Sequence, residues 1–242
     1  MKVPAEPSVP SSPRDHREEP LSLPIAGPAG EERTVEDVIL LRRAIRRFAE
    51  RPVPDELVVK VFSLAQRAPS EWNFQPWRWL VLRHEPDRLR LAPLTYGRME
   101  IRAAPIVVVA LANTREWERA PEHLRQQVGT GRLTEEEYEA QLTRTYAHFR
   151  GHPERAREFA VANTMLAVMT LTLVAQAEGL GAGFIGTFDE DGIRREFQIP
   201  EDWAVATIVT LGFPADDPPR SARKALDDVV HWDRIGGRRA TL

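Results

Sequence analysis

From residue 34 onward the apolar positions fall into a succession of helical and strand-like periods. Thr34, placed to accept from the backbone of Asp37, precedes Val35, Val38, Ile39 and Leu41, which predicts a capped helix running into the arginines that follow. Pro54 and Asp55 open a second helix, with Leu57, Val61, Leu64, Ala65 and Ala68 at helical spacing and Pro69 as its stop; the two helices are expected to pack together. Residues 77–82 read as a strand and residues 87–94 as a short helix. Residues 106–111 form a continuous apolar run of strand length, the pattern of a strand buried on both faces. Pro153 opens the longest helix, predicted over 153–178 with Gly179 as its stop. A short strand over 182–185, a helix capped by Asp189 and reaching residue 197, and a long strand over 203–213 complete the core.

Between these elements the texture changes. Residues 1–30 carry seven prolines among serines and charges, which predicts a mobile arm. Residues 114–150 are polar and charged, with a Gly129-Thr130-Gly131 turn and a capping box from Thr134 to Glu137, and read as a helical excursion or lid over the core. Residues 214–242 are too polar for a core element and read as an arm that wraps over another surface. The longest helix is apolar nearly all round from 159 to 175, yet shorter than the roughly 20 predominantly apolar residues of a membrane span. It reads as a central buried helix with a subunit interface as a further use of its surface. The pattern is α+β: helices on a sheet of four or five strands, without regular βαβ alternation.

Composition narrows the chemistry. A chain of 242 residues with a formal net charge of −3 does not read as a nucleic-acid wrapper, and the absence of cysteine excludes disulfides, thiolate metal sites and a cysteine nucleophile. With no signal-type apolar segment at its start, the chain is expected in the cytoplasm. His148 and His152 are four apart but Gly151 and Pro153 break the helix there, so no metal site is expected. Gly181-Ala182-Gly183-Phe184-Ile185-Gly186 spells G-x-G-x-x-G, but the helix precedes the glycines and a strand contains them, the reverse of a dinucleotide-binding turn. These glycines are expected to end the long helix and to let backbone approach a ligand or another element. No G-x-S-x-G elbow supports a serine hydrolase.

The densest chemical signal is Arg42-Arg43-Ala44-Ile45-Arg46-Arg47-Phe48. If the first helix continues through it, Arg42 pairs with Arg46 on one face and Arg43 with Arg47 on another, four like charges that serve either as a solvated basic face or as an anion site. Three other stretches accompany it: Pro69 to Trp77, Gly179 to Asp189, and the cationic Arg220, Arg223 and Lys224. Cations at the outer two and amides, hydroxyls and backbone at the middle two suit an elongated ligand with a phosphate at one end and a hydrogen-bonding ring at the other.

In this order the motifs R-R-x-x-R-x-F, A-P-S-x-x-N-x-Q-P-W and E-G-L-G-x-x-x-I-G-x-F-D, then a basic arm ahead of Val229-Val230-His231, resemble the FMN-dependent nitroreductase family across almost the whole chain after the N-terminal arm. The resemblance implies a nitroreductase-like domain over 31–242 and an intertwined homodimer with FMN at the subunit interface. It implies that Arg42 and Arg43 hold the phosphate and ribityl side and that Arg46 reaches the pyrimidine edge. Pro69, Ser70, Asn73 and Gln75 would reach the flavin from the partner subunit. Phe184, Ile185, Gly186 and Thr187 would lie against the ring, and Arg223 with Lys224 would clamp the phosphate. The implied activity is ping-pong hydride transfer through flavin N5, from NADH or NADPH to a nitroaromatic, quinone or similar acceptor, with no side chain required as an acid or base, no metal, and neither nucleic acid nor membrane as partner. Two alternatives stay open: a specialised flavin enzyme (metabolite reductase, dehalogenase or flavin-fragmenting relative) and a flavin-binding module without turnover. Ala44 departs from the family pattern, which has a serine there; the flavin-fragmenting relatives carry an acid at that position.

Overall fold

The computed structural model describes residues 33–237, so the arm expected over residues 1–30 lies outside the described residues. In chain order the described residues form α1 (Val35–Leu41), α2 (Asp55–Ala65), β1 (Trp77–Leu82), α3 (Glu85–Leu91), α4 (Met99–Ala103), β2 (Ile106–Asn113), α5 (Ala120–Gly129), α6 (Glu135–Phe149), α7 (Pro153–Ala177), β3 (Gly181–Ile185), α8 (Glu190–Glu196), β4 (Trp203–Gly212) and α9 (Leu226–Val229). The four strands make one antiparallel sheet in the order β1-β2-β4-β3.

The apolar run of β2 is divided between two cores by the period of two of a strand. Ile106, Val108 and Ala110 join Val61, Ala65, Val168, Leu171 and Ala175 on the side of α2 and α7. Val107, Val109 and Leu111 join Leu91, Ile101 and Ile193 on the side of α3, α4 and α8. The β2–β4 register shifts between Ala110 and Leu111, which pair with Thr207 and Val205 and leave Ala206 as an extra residue. That bulge lets Val205 and Ile208 face the same core although they are three apart.

Helices α1 and α2 both pack on α7, which takes the place the sequence reading gave them against each other. α7 is long and apolar enough to cross a membrane by length and composition; here Val168, Leu171 and Ala175 are buried against the sheet, while Leu166 and Met169 stay exposed on its other side. The 114–150 excursion has a small core of its own, Ala120, Leu124 and Tyr138, and that core includes Phe74 from the loop before β1. Both expected capping boxes form, Thr34 with Asp37 and Thr134 with Glu137.

Glu190 ties three elements together. Its carboxylate accepts from Arg157 Nη1 and Nη2 at 3.1 and 2.7 Å and from the Val205 backbone N–H at 3.0 Å, linking α8 to α7 and β4. Burial alone would raise its pKa, but the Arg157 guanidinium and the Val205 N–H outweigh burial and hold it below the ordinary glutamate value. A depressed folded-state pKa gives stability that is present above the unfolded value of about 4.3 and is lost as the pH falls through the folded one. Glu190→Gln is therefore expected to flatten part of the acid limb of stability, measured by urea unfolding near neutral pH and at about pH 3.5.

Candidate functional site

The arginine stretch is not helical. α1 stops at Leu41 and Arg42 turns to φ −57°, ψ 128°. The Ile45 N–H donates to Ala182 O at 2.9 Å and Ala44 bridges Ala182 in parallel, so the stretch lies along the free edge of β3. The same-face pairing of Arg42 with Arg46 and of Arg43 with Arg47 is thereby overturned. The cause is tertiary: Ile45 is fully buried against β3, a burial that continuing the helix would forfeit. Adjacent residues of an extended stretch face opposite sides, and the exposed Ala44 and Arg46 flank the buried Ile45.

The β3 glycines make that approach possible. A Cβ on Gly183 would sit 2.6 Å from Ile45 O and 2.7 Å from Thr210 Oγ1, and one on Gly181 would run into the Ile45 side chain. Gly186 differs, because a Cβ there would meet nothing within 4 Å. Phe184, Gly186 and Thr187 are exposed and Ile185 is buried. Of the three glycines of the G-x-G-x-x-G string, two serve packing and the third faces open space.

Arg42 and Arg43 lie within electrostatic reach of the C-terminal arginines. Burial, then repulsion from Arg223, lowers the pKa of Arg42. For Arg43 burial again leads, followed by repulsion from Arg220, with Asp217 acting in the opposite sense and Arg42 and Arg223 adding to the lowering. Arg43 Nη1 donates to Leu40 O at 2.7 Å and to Arg42 O at 3.2 Å, at the end of α1, while its Nε is buried without a hydrogen-bond partner. That N–H is a buried donor without an acceptor, set among like charges. Arg46, Arg220, Arg223 and Lys224 are exposed. Arg47 lies 3.6 Å from Asp216, an exposed pair with little energetic weight.

The Pro69–Gln75 loop stands apart. Ser70 Oγ accepts from the Gln75 N–H at 3.0 Å, and Asn73 and Gln75 are held at φ 59° and 49°. Pro69 and Asn73 are exposed. Among the described residues no hydrogen bond or ion pair links this loop to Arg42, Arg43, Arg46, Arg220 or Arg223; the arginine that bonds it is Arg78, whose Nη1 donates to Gln75 O at 3.1 Å. The predicted residues thus fall into two separate groups: the arginines with β3, and this loop. The sequence reading missed the residues that hold the loop from behind, Arg78, Glu116 and Asn163; only Asn163, a lone amide on an apolar helix, left a trace in the pattern. Among the described residues no cluster of potential metal ligands occurs, and His148 is exposed while His152 pairs with Glu154 at 3.2 Å.

The class to which this fold belongs is settled by comparison with known proteins. The Nitroreductase family profile matches residues 39–213. A protein of Thermus thermophilus named NADH dehydrogenase is 34% identical over 194 residues, covering 80% of this chain and 93% of its own. The Bacillus subtilis protein YodC, provisionally named an NAD(P)H nitroreductase, is 26% identical over 197 residues, covering 81% and 97%. Among solved structures, an Exiguobacterium sibiricum protein in complex with FMN superposes with a TM-score of 0.74 at 22% identity, covering 84% of this chain and 98% of that one. The chain belongs to the Nitroreductase family of oxidoreductases.

Proposed function

We propose that this protein is an FMN-dependent oxidoreductase that draws on NADH or NADPH to reduce an electron-poor acceptor such as a nitroaromatic or a quinone, acting as a homodimer with two equivalent sites. The observation that carries this reading is the convergence of Arg42, Arg43, Arg220 and Arg223, with the unpaired Arg43 Nε among them. The FMN of the Exiguobacterium sibiricum relative and the name of the Thermus thermophilus relative point the same way.

Bound FMN would supply the hydride exchange at its N5, alternating between donor and acceptor in ping-pong order. The protein's part is binding and electrostatics. Arg42, Arg43, Arg223 and Lys224 are assigned to the phosphate, Arg46 to the pyrimidine edge, and Phe184, Ile185, Gly186 and Thr187 to the ring. Pro69, Ser70, Asn73 and Gln75 are assigned to the other subunit's cofactor, which fits a loop without bonds to Arg42, Arg43, Arg46, Arg220 or Arg223 among the described residues. Exposed apolar side chains on α1 (Val35, Ile39) and α7 (Leu166, Met169) supply a surface for that dimer. No side chain is required to move a proton.

The purified protein is expected to be yellow, with about one flavin per chain, and to bleach anaerobically with NADH or NADPH, each tested alone. A colourless protein that takes up no FMN overturns the reading, and bound flavin that no acceptor reoxidises leaves only a binding module. Arg46→Ala is expected to lower the two-electron potential by roughly 30 mV, about 1.4 kcal/mol, because a fixed cation favours the reduced, more negative ring. An unchanged potential removes Arg46 from that role.

A further inference from the structure

Among the described residues Glu116 is the one charged side chain in the buried interior, 2% exposed, in a 3₁₀ turn (Glu116–Arg119) just after β2. Both oxygens are taken. Oε2 accepts from Arg78 Nη2 and from Asn113 Nδ2, each at 2.8 Å. Oε1 accepts from Arg119 Nη1 at 3.2 Å and lies 3.1 Å from His123 Nε2. A buried, fully bonded ion cluster is seldom more stabilising than apolar packing of the same volume, so its use is better sought in what it holds in place.

What it holds is Arg78. The other arm of that guanidinium, Nη1, donates to Gln75 O at 3.1 Å and to Trp77 O at 2.8 Å, on either side of Pro76. Just before lie three non-glycine residues in the left-handed region, Trp72, Asn73 and Gln75, at φ 52°, 59° and 49°. Three such residues in four positions persist only where the surroundings over-determine them. The excursion supplies much of that bracing: Gln127 Nε2 donates to Trp72 O at 3.0 Å, and the buried Phe74 ring lies 5.4 Å from the His123 ring. Asn163 of α7 adds an acceptor for the Glu71 N–H at 2.9 Å.

We infer that Glu116 is a positioning residue for the flavin: through Arg78 it fixes the Gln75 carbonyl and holds the 70–75 loop in the one conformation that presents Ser70, Asn73 and Gln75 to the cofactor. This rests on the FMN reading above. It also gives the 114–150 excursion a task besides covering the core, because the buried carboxylate and His123 belong to it.

The test compares flavin affinity of wild type, Glu116→Gln and Arg78→Lys, read by fluorescence titration at a temperature where circular dichroism shows each folded. Both variants are expected to bind FMN and riboflavin more weakly by the same factor, at least ten-fold, since the proposed function assigns the phosphate to Arg42, Arg43, Arg223 and Lys224 and not to this loop. The double variant is expected to lose no more than the worse single one, as for two links of one chain. Arg78→Lys keeps a cation on a one-third-exposed side chain and carries the test should Glu116→Gln fail to fold. Amide exchange at residues 70–77 is expected to quicken at least ten-fold in the variants while that of β2 stays unchanged. Folded variants with wild-type affinity and unchanged exchange overturn the inference while leaving the function intact. A wild-type protein that binds neither flavin overturns the function and the inference together.

Discussion

Arg43→Ala is expected to lower FMN affinity by about thirty-fold, equivalent to roughly 2 kcal/mol, while leaving riboflavin affinity nearly unchanged. The two ligands differ only by the phosphate, so the ratio of their dissociation constants isolates the anion site from the ring site. The loss should exceed that of an ordinary surface arginine because Arg43 has a buried Nε with nothing to bond it until an anion arrives. Stability will not follow affinity in a simple way. The variant loses the bonds that Arg43 makes to Leu40 O and Arg42 O at the end of α1, yet it is freed from repulsion by Arg220, Arg42 and Arg223. Arg223→Ala separates the two effects. Arg223 is exposed and among the described residues its bonds run only to its own neighbours, Ser221 O and Ala222 O, so the apoprotein should keep its melting temperature while FMN, not riboflavin, binds more weakly. Equal losses for both flavins in either variant would place the phosphate elsewhere.

These effects depend on features that were unequally legible in the chain. The apolar run of β2 announced a strand buried on both faces, and it is divided residue by residue between two cores. Caps, proline starts and glycine stops located α1, α2, α6 and α7, because those signals act within a few residues of chain. The arginine stretch misled for the opposite reason. Its spacing is compatible with a helix, and what makes it extended is the slot that Gly181 and Gly183 leave for Ile45, more than a hundred residues away. Glu116 was not legible at all: within Thr114-Arg115-Glu116-Trp117-Glu118-Arg119 it looks like one more solvated charge, and only the fold brings Arg78, Asn113 and His123 around it. α4, five residues long, is too short for a period to show. The candidate site was legible as motifs in order, whereas the separation of the arginines with β3 from the 69–75 loop required the fold.

Gly183 within β3 and Gly186 at its exit should answer to substitution in opposite ways. Gly183→Ala places a methyl 2.6 Å from Ile45 O and 2.7 Å from Thr210 Oγ1. The carbonyl is backbone and is pinned by the adjacent bond from Ile45 N–H to Ala182 O at 2.9 Å, so relief requires moving the whole stretch off β3. Overpacking of that kind costs about 1–3 kcal/mol, and for a chain of this size each kcal/mol lowers the melting temperature by roughly 2–4 °C. Arg42, Arg43 and Arg46 ride on the displaced stretch, so flavin affinity should fall along with stability. Gly186→Ala meets nothing within 4 Å and should leave the apoprotein within about 0.5 kcal/mol of wild type. If the open space at Gly186 is where the flavin ring lies, that harmless methyl should nevertheless weaken binding of FMN and riboflavin alike. Thermal unfolding of both variants with and without flavin reads the contrast. Loss of stability at Gly183 and loss of binding alone at Gly186 is the expected pattern; unaltered flavin affinity in Gly186→Ala would move the ring away from this segment.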